Sequence, residues 1–315
     1  MNDEAISGLL ARAERSEGRP AFAPGKLAEQ DGRDSISDAL TTRLIQVGDH
    51  ATIVAYRAYK LHAVGIDQPA LIVPLSGTKG VEFGAAQATI EPGAFLMIHQ
   101  VTTLQVENLP PTQGGHPYRA WAIGFPWRLV ELARSLLNHH QLHLSIAGHA
   151  GGALPFSIGP LVPLLPSLQQ LLDVLAASEG SAAPDAALVD HALLGVMIAL
   201  ASNGHGQFLR ASDPSLGARI RLLVAAAPER DWTSADFEDA LNVSGATLRR
   251  RLAEENTSLR LLLREARLHH GLVLLQTSRK PLKSVAHACG YRSVPSFTRN
   301  FIDRFGIEPA AVAQS

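Results

Sequence analysis

The stretch from Trp232 to Pro309 constrains this chain more than any other, because it carries one helical pattern twice, joined by a longer helix. In the first copy Thr233 is placed to cap a helix on which Phe237, Ala240 and Leu241 share a face. Asn242 and Val243 are turn residues, and Ser244 is placed to cap a second helix whose Leu248 and Leu252 turn inward at i, i+4. A hydroxyl at such a position accepts one of the amides that a helix start leaves free. Arg249, Arg250 and Arg251 stand beside those leucines, and Asn256, which tolerates left-handed backbone, stops the helix.

The second copy repeats the scheme. Leu282, Val285, Ala286 and Cys289 line one face of a short helix that Gly290 ends. Ser293 caps the next helix, and Pro295 lies in its first turn, where a missing N–H costs nothing. Phe297, Phe301 and Phe305 recur at i, i+4, i+8 and predict a core face, with Ser296, Thr298, Arg299 and Asn300 left outside. Between the copies, residues 259–276 read as one helix of roughly 27 Å. Such a rod holds two helix-turn-helix units at about the repeat of one DNA turn, roughly 34 Å, so that both second helices can enter the major groove on one side of a duplex.

The residues Leu248-Arg249-Arg250, Ala266-Arg267-Leu268, Leu274-Leu275, Val285-Ala286, Cys289-Gly290-Tyr291, Ser296-Phe297, Arg299-Asn300-Phe301 and Phe305-Gly306-Ile307-Glu308-Pro309 resemble the DNA-binding domain of the AraC/XylS family of bacterial transcription regulators. The resemblance covers about the last hundred residues. The run Glu255-Asn256-Thr257-Ser258 is similar to the subgroup with regulators of virulence and acid resistance, although most members carry Gly near Asn256. Position by position, the resemblance implies DNA contact by Gly245, Ala246, Thr247, Arg249 and Arg250 of the first unit. In the second it implies Val294, Pro295, Ser296, Thr298 and Arg299, with Arg292 and Lys283 as phosphate partners. Ala246 departs from the family, where larger side chains often reach bases. Each arginine can pair a guanine edge or a phosphate. The family's usual mode is activation, by binding promoter DNA and recruiting RNA polymerase.

Charge divides the chain in the same way. Residues 215–315 hold 15 Lys+Arg against 10 Asp+Glu, a balance of +5, and residues 1–214 hold 13 against 19, a balance of −6, which together give the net −1. A basic C-terminal domain on an acidic partner fits nucleic-acid binding by one part only. The one cysteine, Cys289, sits at an apolar helix position and reads as a buried structural thiol. No apolar run reaches the ~18 residues of a membrane span and no secretory signal opens the chain, so a cytoplasmic protein without a membrane partner is expected.

Upstream, residues 1–40 read as a loosely ordered extension with a short apolar stripe at Ile6, Leu9 and Leu10. Residues 41–127 carry short β-rich segments (RLIQV, TIVAYRAYKLHAV, ALIVPLSG, GVEFG, ATIEPGAFLMIH, TTLQVENL, RAWAIGF) parted by Gly and Pro turns, which suggests a barrel or sandwich. The stretch around Glu91-Pro92-Gly93 resembles the cupin-like sensor domain that often precedes this DNA-binding domain. The fold class expected is therefore α+β: a cupin-like β-barrel sensor, a helical connector over 128–202, a linker over 203–214, and an all-α double helix-turn-helix domain over 215–315.

Enzymatic cupins present a close His-x-His pair, a carboxylate and a later His. Here His50, His62, His99 and His116 are scattered, with His139, His140 and His143 later, so neither metal, cofactor nor catalytic group is expected. A barrel without chemistry can hold a small ligand, and Tyr56, Arg57, Tyr59, Lys60, Lys79 and Trp121 are its candidate lining. A buried Lys or Arg would suit a carboxylate such as the fatty acids bound by some members of the similar subgroup. In the connector, Leu129, Leu132, Leu136 and Leu137 have helical spacing. Two further stripes follow, Leu164, Leu168, Leu171, Leu172, Leu175 and Val189, Leu193, Val196, Met197, Leu200. They fit either packing onto the barrel or pairing of two subunits as a homodimer. Two rival readings stay open: a ligand-independent regulator whose barrel is a scaffold, and a cupin enzyme with an appended DNA-binding domain.

Overall fold

The computed structural model describes residues 52–112, 115–139, 154–177, 185–210 and 215–313. The expected extension over 1–40, the RLIQV strand, and His50, His140 and His143 lie outside the described residues.

Nine strands follow: β1 Thr52–Ala55, β2 Tyr59–Ile66, β3 Ala70–Ser76, β4 Thr78–Phe83, β5 Ala86–Ile90, β6 Ala94–Ile98, β7 Thr102–Leu109, β8 Tyr118–Gly124 and β9 Phe156–Pro160. They form two antiparallel sheets, ordered β1-β8-β3-β6-β9 and β2-β7-β4-β5. The continuous apolar run Leu71 to Leu75 in β3 is buried throughout, because its sheet is covered on both sides. Alternation sorts the side chains. Leu71, Val73, Phe95, Met97, Trp121 and Ile123 face helices. Ile72, Leu96, Ile98, Tyr118 and Ala120 face the second sheet, where they meet Leu61, Val81, Ile90, Leu104 and Val106. This is the cupin-like, β-rich architecture expected, with the segments TIVAYRAYKLHAV and ATIEPGAFLMIH each broken into two strands by a turn.

Three helices cover the outer face of the five-stranded sheet: α1 Trp127–His139, α2 Leu165–Ala176 and α3 Ala186–Leu200. Leu168, Leu171, Leu172, Leu193, Val196, Met197 and Leu200 share one core with the sheet, so both leucine stripes are occupied within the chain. In α1 the buried face is Leu129, Val130, Ala133 and Leu137, whereas Leu132 and Leu136 are exposed. After a kink at Asn203 and Gly204 the chain turns helically again to Arg210, inside the expected linker, because Phe208 and Leu209 are buried in that same core. By length and composition the run Ala186–Arg210 could cross a membrane, against the expectation that no such run exists. Here its buried side chains pack on α2 and the sheet instead.

The C-terminal helices are α4 Leu216–Ala226, α5 Ser234–Leu241, α6 Gly245–Glu254, α7 Leu259–Thr277, α8 Leu282–Ala288, α9 Val294–Phe305 and α10 Pro309–Val312. They do not stand apart from the sandwich. β1 and β2 end their respective sheets, and an unpaired strand edge invites non-native pairing unless something covers it. Here α7 packs on β1 and α9 on β2. Leu268, Leu272 and Leu275 of α7 join the cluster that fills the sandwich interior, and Phe297, Phe301 and Phe305 of α9 extend it.

Candidate nucleic-acid interface

Each helix-turn-helix unit is built by the local signals in its sequence. Thr233 and Asp236 form a reciprocal capping box on α5, the Asp236 carboxylate also accepting from Arg230. Asn242 takes φ +51° in the turn, and the Ser244 hydroxyl accepts the Thr247 amide at 3.2 Å to start α6. Phe237, Leu241, Leu248 and Leu252 form the unit's core, with Trp232 stacked on Phe237 at 4.9 Å. Ala240 is exposed rather than inward, since the face is carried by the i, i+4 pair Phe237 and Leu241. Asn256, at φ +52°, follows the end of α6. The Glu255 carboxylate beside it accepts the amides of Leu216 and Gly217 at 2.9 and 3.0 Å, fastening the end of α6 to the start of α4.

In the second unit the turn after α8 needs Gly290, at φ +74°, where a Cβ would also lie 3.1 Å from the Pro228 carbonyl oxygen. Ser293 caps α9, and Phe297, Phe301 and Phe305 pack ring on ring at 5.5 and 4.7 Å. Cys289 is fully buried against this seam, and burial pushes its thiol up to about 12.

What remains outside is the candidate reading surface. Arg249, Arg250 and Ala246 are exposed on α6, while Thr247 also shares its hydroxyl with the Ser244 cap at 3.0 Å. Gly245 lies under α5, where a Cβ would come within 2.7 Å of Glu238 Oε1, so its place is explained by packing. On α9, Val294, Pro295, Thr298 and Arg299 line one shallow depression of about 440 Å³. Ser296 lies on the flank toward α7, with Arg292 exposed before the helix and Lys283 exposed on α8.

The six sandwich residues expected to line a ligand site are not brought together. Tyr56 and Arg57 are exposed between β1 and β2, and Lys60 pairs with Glu82 at 2.7 Å on the sheet's outer face. Trp121 faces the helices. Only Tyr59 and Lys79 turn inward, and register explains why: both stand opposite Asn108 on β7. Lys79 Nζ donates to Asn108 Oδ1 at 2.7 Å, and Asn108 Nδ2 donates to the Tyr59 hydroxyl at 2.9 Å. Burial pulls the Lys79 ammonium down to about 7. The row ends in the other domain, where Gln276 Nε2 of α7 donates to the same Tyr59 hydroxyl at 3.0 Å.

A second tie between the domains is ionic and went unseen in the sequence. Asp67, in the β2–β3 turn, accepts from Arg221 of α4 at 2.7 Å; Glu265 of α7 faces Arg221 at 3.7 Å and Arg304 of α9 at 3.1 Å. One string of four charges thus links the sandwich to α4, α7 and α9.

A family profile described as a helix-turn-helix domain matches residues 238–315, spanning α6 through α10 and most of the surface just described. The virulence regulon transcriptional activator VirF of Shigella flexneri is 32% identical over 99 residues, 31% of this chain and 38% of VirF. The HTH-type transcriptional regulator GadX of Escherichia coli is 32% identical over 101 residues, 32% of this chain and 37% of GadX. The C-terminal segment is an AraC/XylS-family DNA-binding domain. Its match spans under two fifths of the length of those relatives. The AraC/XylS assignment thus rests on this domain, and the rest of the chain is placed by fold. A crystal structure of apo ToxT from Vibrio cholerae superposes with a TM-score of 0.55 at 15% identity, covering 82% of this chain and 94% of ToxT. A ToxT structure whose ligand is an unsaturated fatty acid gives 0.50 at 14%.

Proposed function

We propose that this protein is a sequence-specific transcription regulator of the AraC/XylS type that binds promoter DNA in the cytoplasm through α6 and α9. The observation that carries the reading is the pair of capped second helices, each holding its apolar face inward and leaving arginines outward, Arg249 and Arg250 on one and Arg299 on the other. Arg299 emerges beside Val294 and Thr298, a side-chain set suited to a guanine edge next to a thymine methyl. Activation through RNA polymerase is the mode proposed, as for the family.

The sandwich acts as the sensor. Its interior row of Lys79, Asn108 and Tyr59 presents an amine without a carboxylate partner among the described residues, which suits an anionic effector such as a carboxylate or fatty acid. Because the row ends on Gln276, an effector that displaced it would act on α7 directly. Both leucine stripes are covered within the chain, so a homodimer would have to use other surface, such as exposed Leu132, Leu136 and Leu188.

The test is fluorescence anisotropy on duplexes selected from a random pool, against scrambled duplexes. Binding to selected DNA should exceed scrambled by ~10³ or more, and Arg299→Ala should cost about 1–3 kcal/mol on selected DNA. Equal binding to both, unmoved by Arg299→Ala, would refute sequence-specific recognition by α9.

A further inference from the structure

A groove of about 950 Å³ with a basic wall lies between the first half of α7 and the turn and start of α9 in the second helix-turn-helix unit. Arg260 and Arg264 project into it from the first two turns of α7, and Arg292 from the turn that leads into α9. Arg267, one turn further along α7, also lines it but is held in place, donating to the carbonyls of Pro228 and Arg230 at 2.9 Å each. No Asp or Glu lines the groove. Arg260, Arg264 and Arg292 are exposed and form no ion pair among the described residues.

Two helix starts open on the same space. Ser258, which caps α7, and Ser293, which caps α9, both line it. Each serine satisfies one amide, Leu261 in the first case and Ser296 in the second, so the remaining first-turn amides add positive potential at both ends.

The groove's place in the chain names its occupant. One wall begins four residues after α6 ends, and the other is the start of α9. A duplex read by both helices must carry its intervening backbone past this gap. Duplex DNA presents a negative charge about every 1.7 Å of axis, which the three unpaired arginines of this groove complement.

We propose that this groove seats the phosphodiester backbone between the two major-groove segments, with Arg260, Arg264 and Arg292 as its phosphate partners. Contacts of this kind set register and affinity and read no sequence. Arg260, Arg264 and Arg292 therefore add affinity on any sequence, leaving base reading to Arg249, Arg250 and Arg299. The proposal rests on the DNA-binding reading above, and its test separates the two.

The full chain is titrated onto a duplex selected from a random pool and onto a scrambled one, each across a salt series. The wild type is compared with the combined variant Arg260→Gln, Arg264→Gln, Arg292→Gln. Each lost phosphate contact lowers the slope of log K against log salt by about 0.9, so the variant's slope should be shallower by about 2–3 on both duplexes. The ratio of selected to scrambled binding should stay within about twofold. Neutral methylphosphonates at the phosphates between the two groove segments should weaken the wild type and leave the variant unmoved. Matching thermal melts of variant and wild type would show that the fold is intact.

An unchanged slope would overturn the groove and leave DNA binding standing, as would a slope change that the methylphosphonates do not reproduce. That second pattern would assign the arginines to a different anion. A wild-type chain that bound neither duplex would remove both readings.

Discussion

Removing the hydroxyl of Tyr59 measures how firmly the sandwich and the C-terminal helices are joined. That oxygen is buried and accepts two hydrogen bonds, from Asn108 within the sandwich and from Gln276 on α7. Tyr59→Phe removes the acceptor of both bonds, and loss of a buried hydrogen bond whose donor stays behind costs about 1–3 kcal/mol, so the variant should be destabilised by at least about 1–3 kcal/mol. Gln276→Leu removes the interdomain donor while the hydroxyl keeps Asn108. Either change alone already breaks the Tyr59–Gln276 bond, so the double variant loses it only once and should fall short of the sum by about 1 kcal/mol. Urea unfolding followed by tryptophan fluorescence suits the assay, because Trp121 and Trp127 report on the sensor side and Trp232 on the first helix-turn-helix unit. The three signals should move together. Additivity within about 0.3 kcal/mol would refute the claim that Tyr59 and Gln276 are coupled across the interface.

Two further outcomes follow from close packing and from burial. A Cβ at Gly271 would lie 2.8 Å from the Phe297 ring and 3.1 Å from Cys289 Sγ, so Gly271→Ala should destabilise by about 1–3 kcal/mol despite alanine's better helix propensity; an unchanged melting temperature would mean that α7 and α9 are not packed so tightly. His99 is buried with neither ring nitrogen hydrogen-bonded, and burial, then the charge of nearby His205, hold its imidazole down to about 4. Unfolded, a histidine takes up its proton near 6.5, so between about 6.5 and 4 the unfolded chain gains a proton that the folded chain refuses. Stability should fall as pH drops through that window, by up to about 1.4 kcal/mol per pH unit from this group, and be untouched by it above. Denaturation at several pH values should show His99→Leu with the shallower fall, and equal pH slopes would remove the assignment.

The second helix-turn-helix unit was legible down to single residues. Ser293, Pro295, Gly290 and the three phenylalanines act where local spacing alone decides the outcome. Legibility failed wherever the answer lay in what a face meets. The stripe Leu268, Leu272, Leu275 announces a buried face, and periodicity cannot say that the face closes a sandwich. Lys60 and Lys79 look alike as letters, yet one stands opposite Glu107 and pairs outward with Glu82, the other opposite Asn108 and turns inward. Only the register tells them apart. Strand β9 lies inside the stretch 128–202 expected to be a helical connector, and it gives no strand signal because its five residues hold only two buried positions and end on a proline.

The long helix between the two helix-turn-helix units is also a wall of the sandwich. Cut between residues 210 and 215, the chain would yield two fragments with raw surfaces, a bare strand edge on one and a row of leucines on the other. Each would find relief most readily in a second copy of itself. Self-association of such fragments would then be a wound of the cut, and the behaviour of the severed DNA-binding half would be a poor guide to the intact molecule.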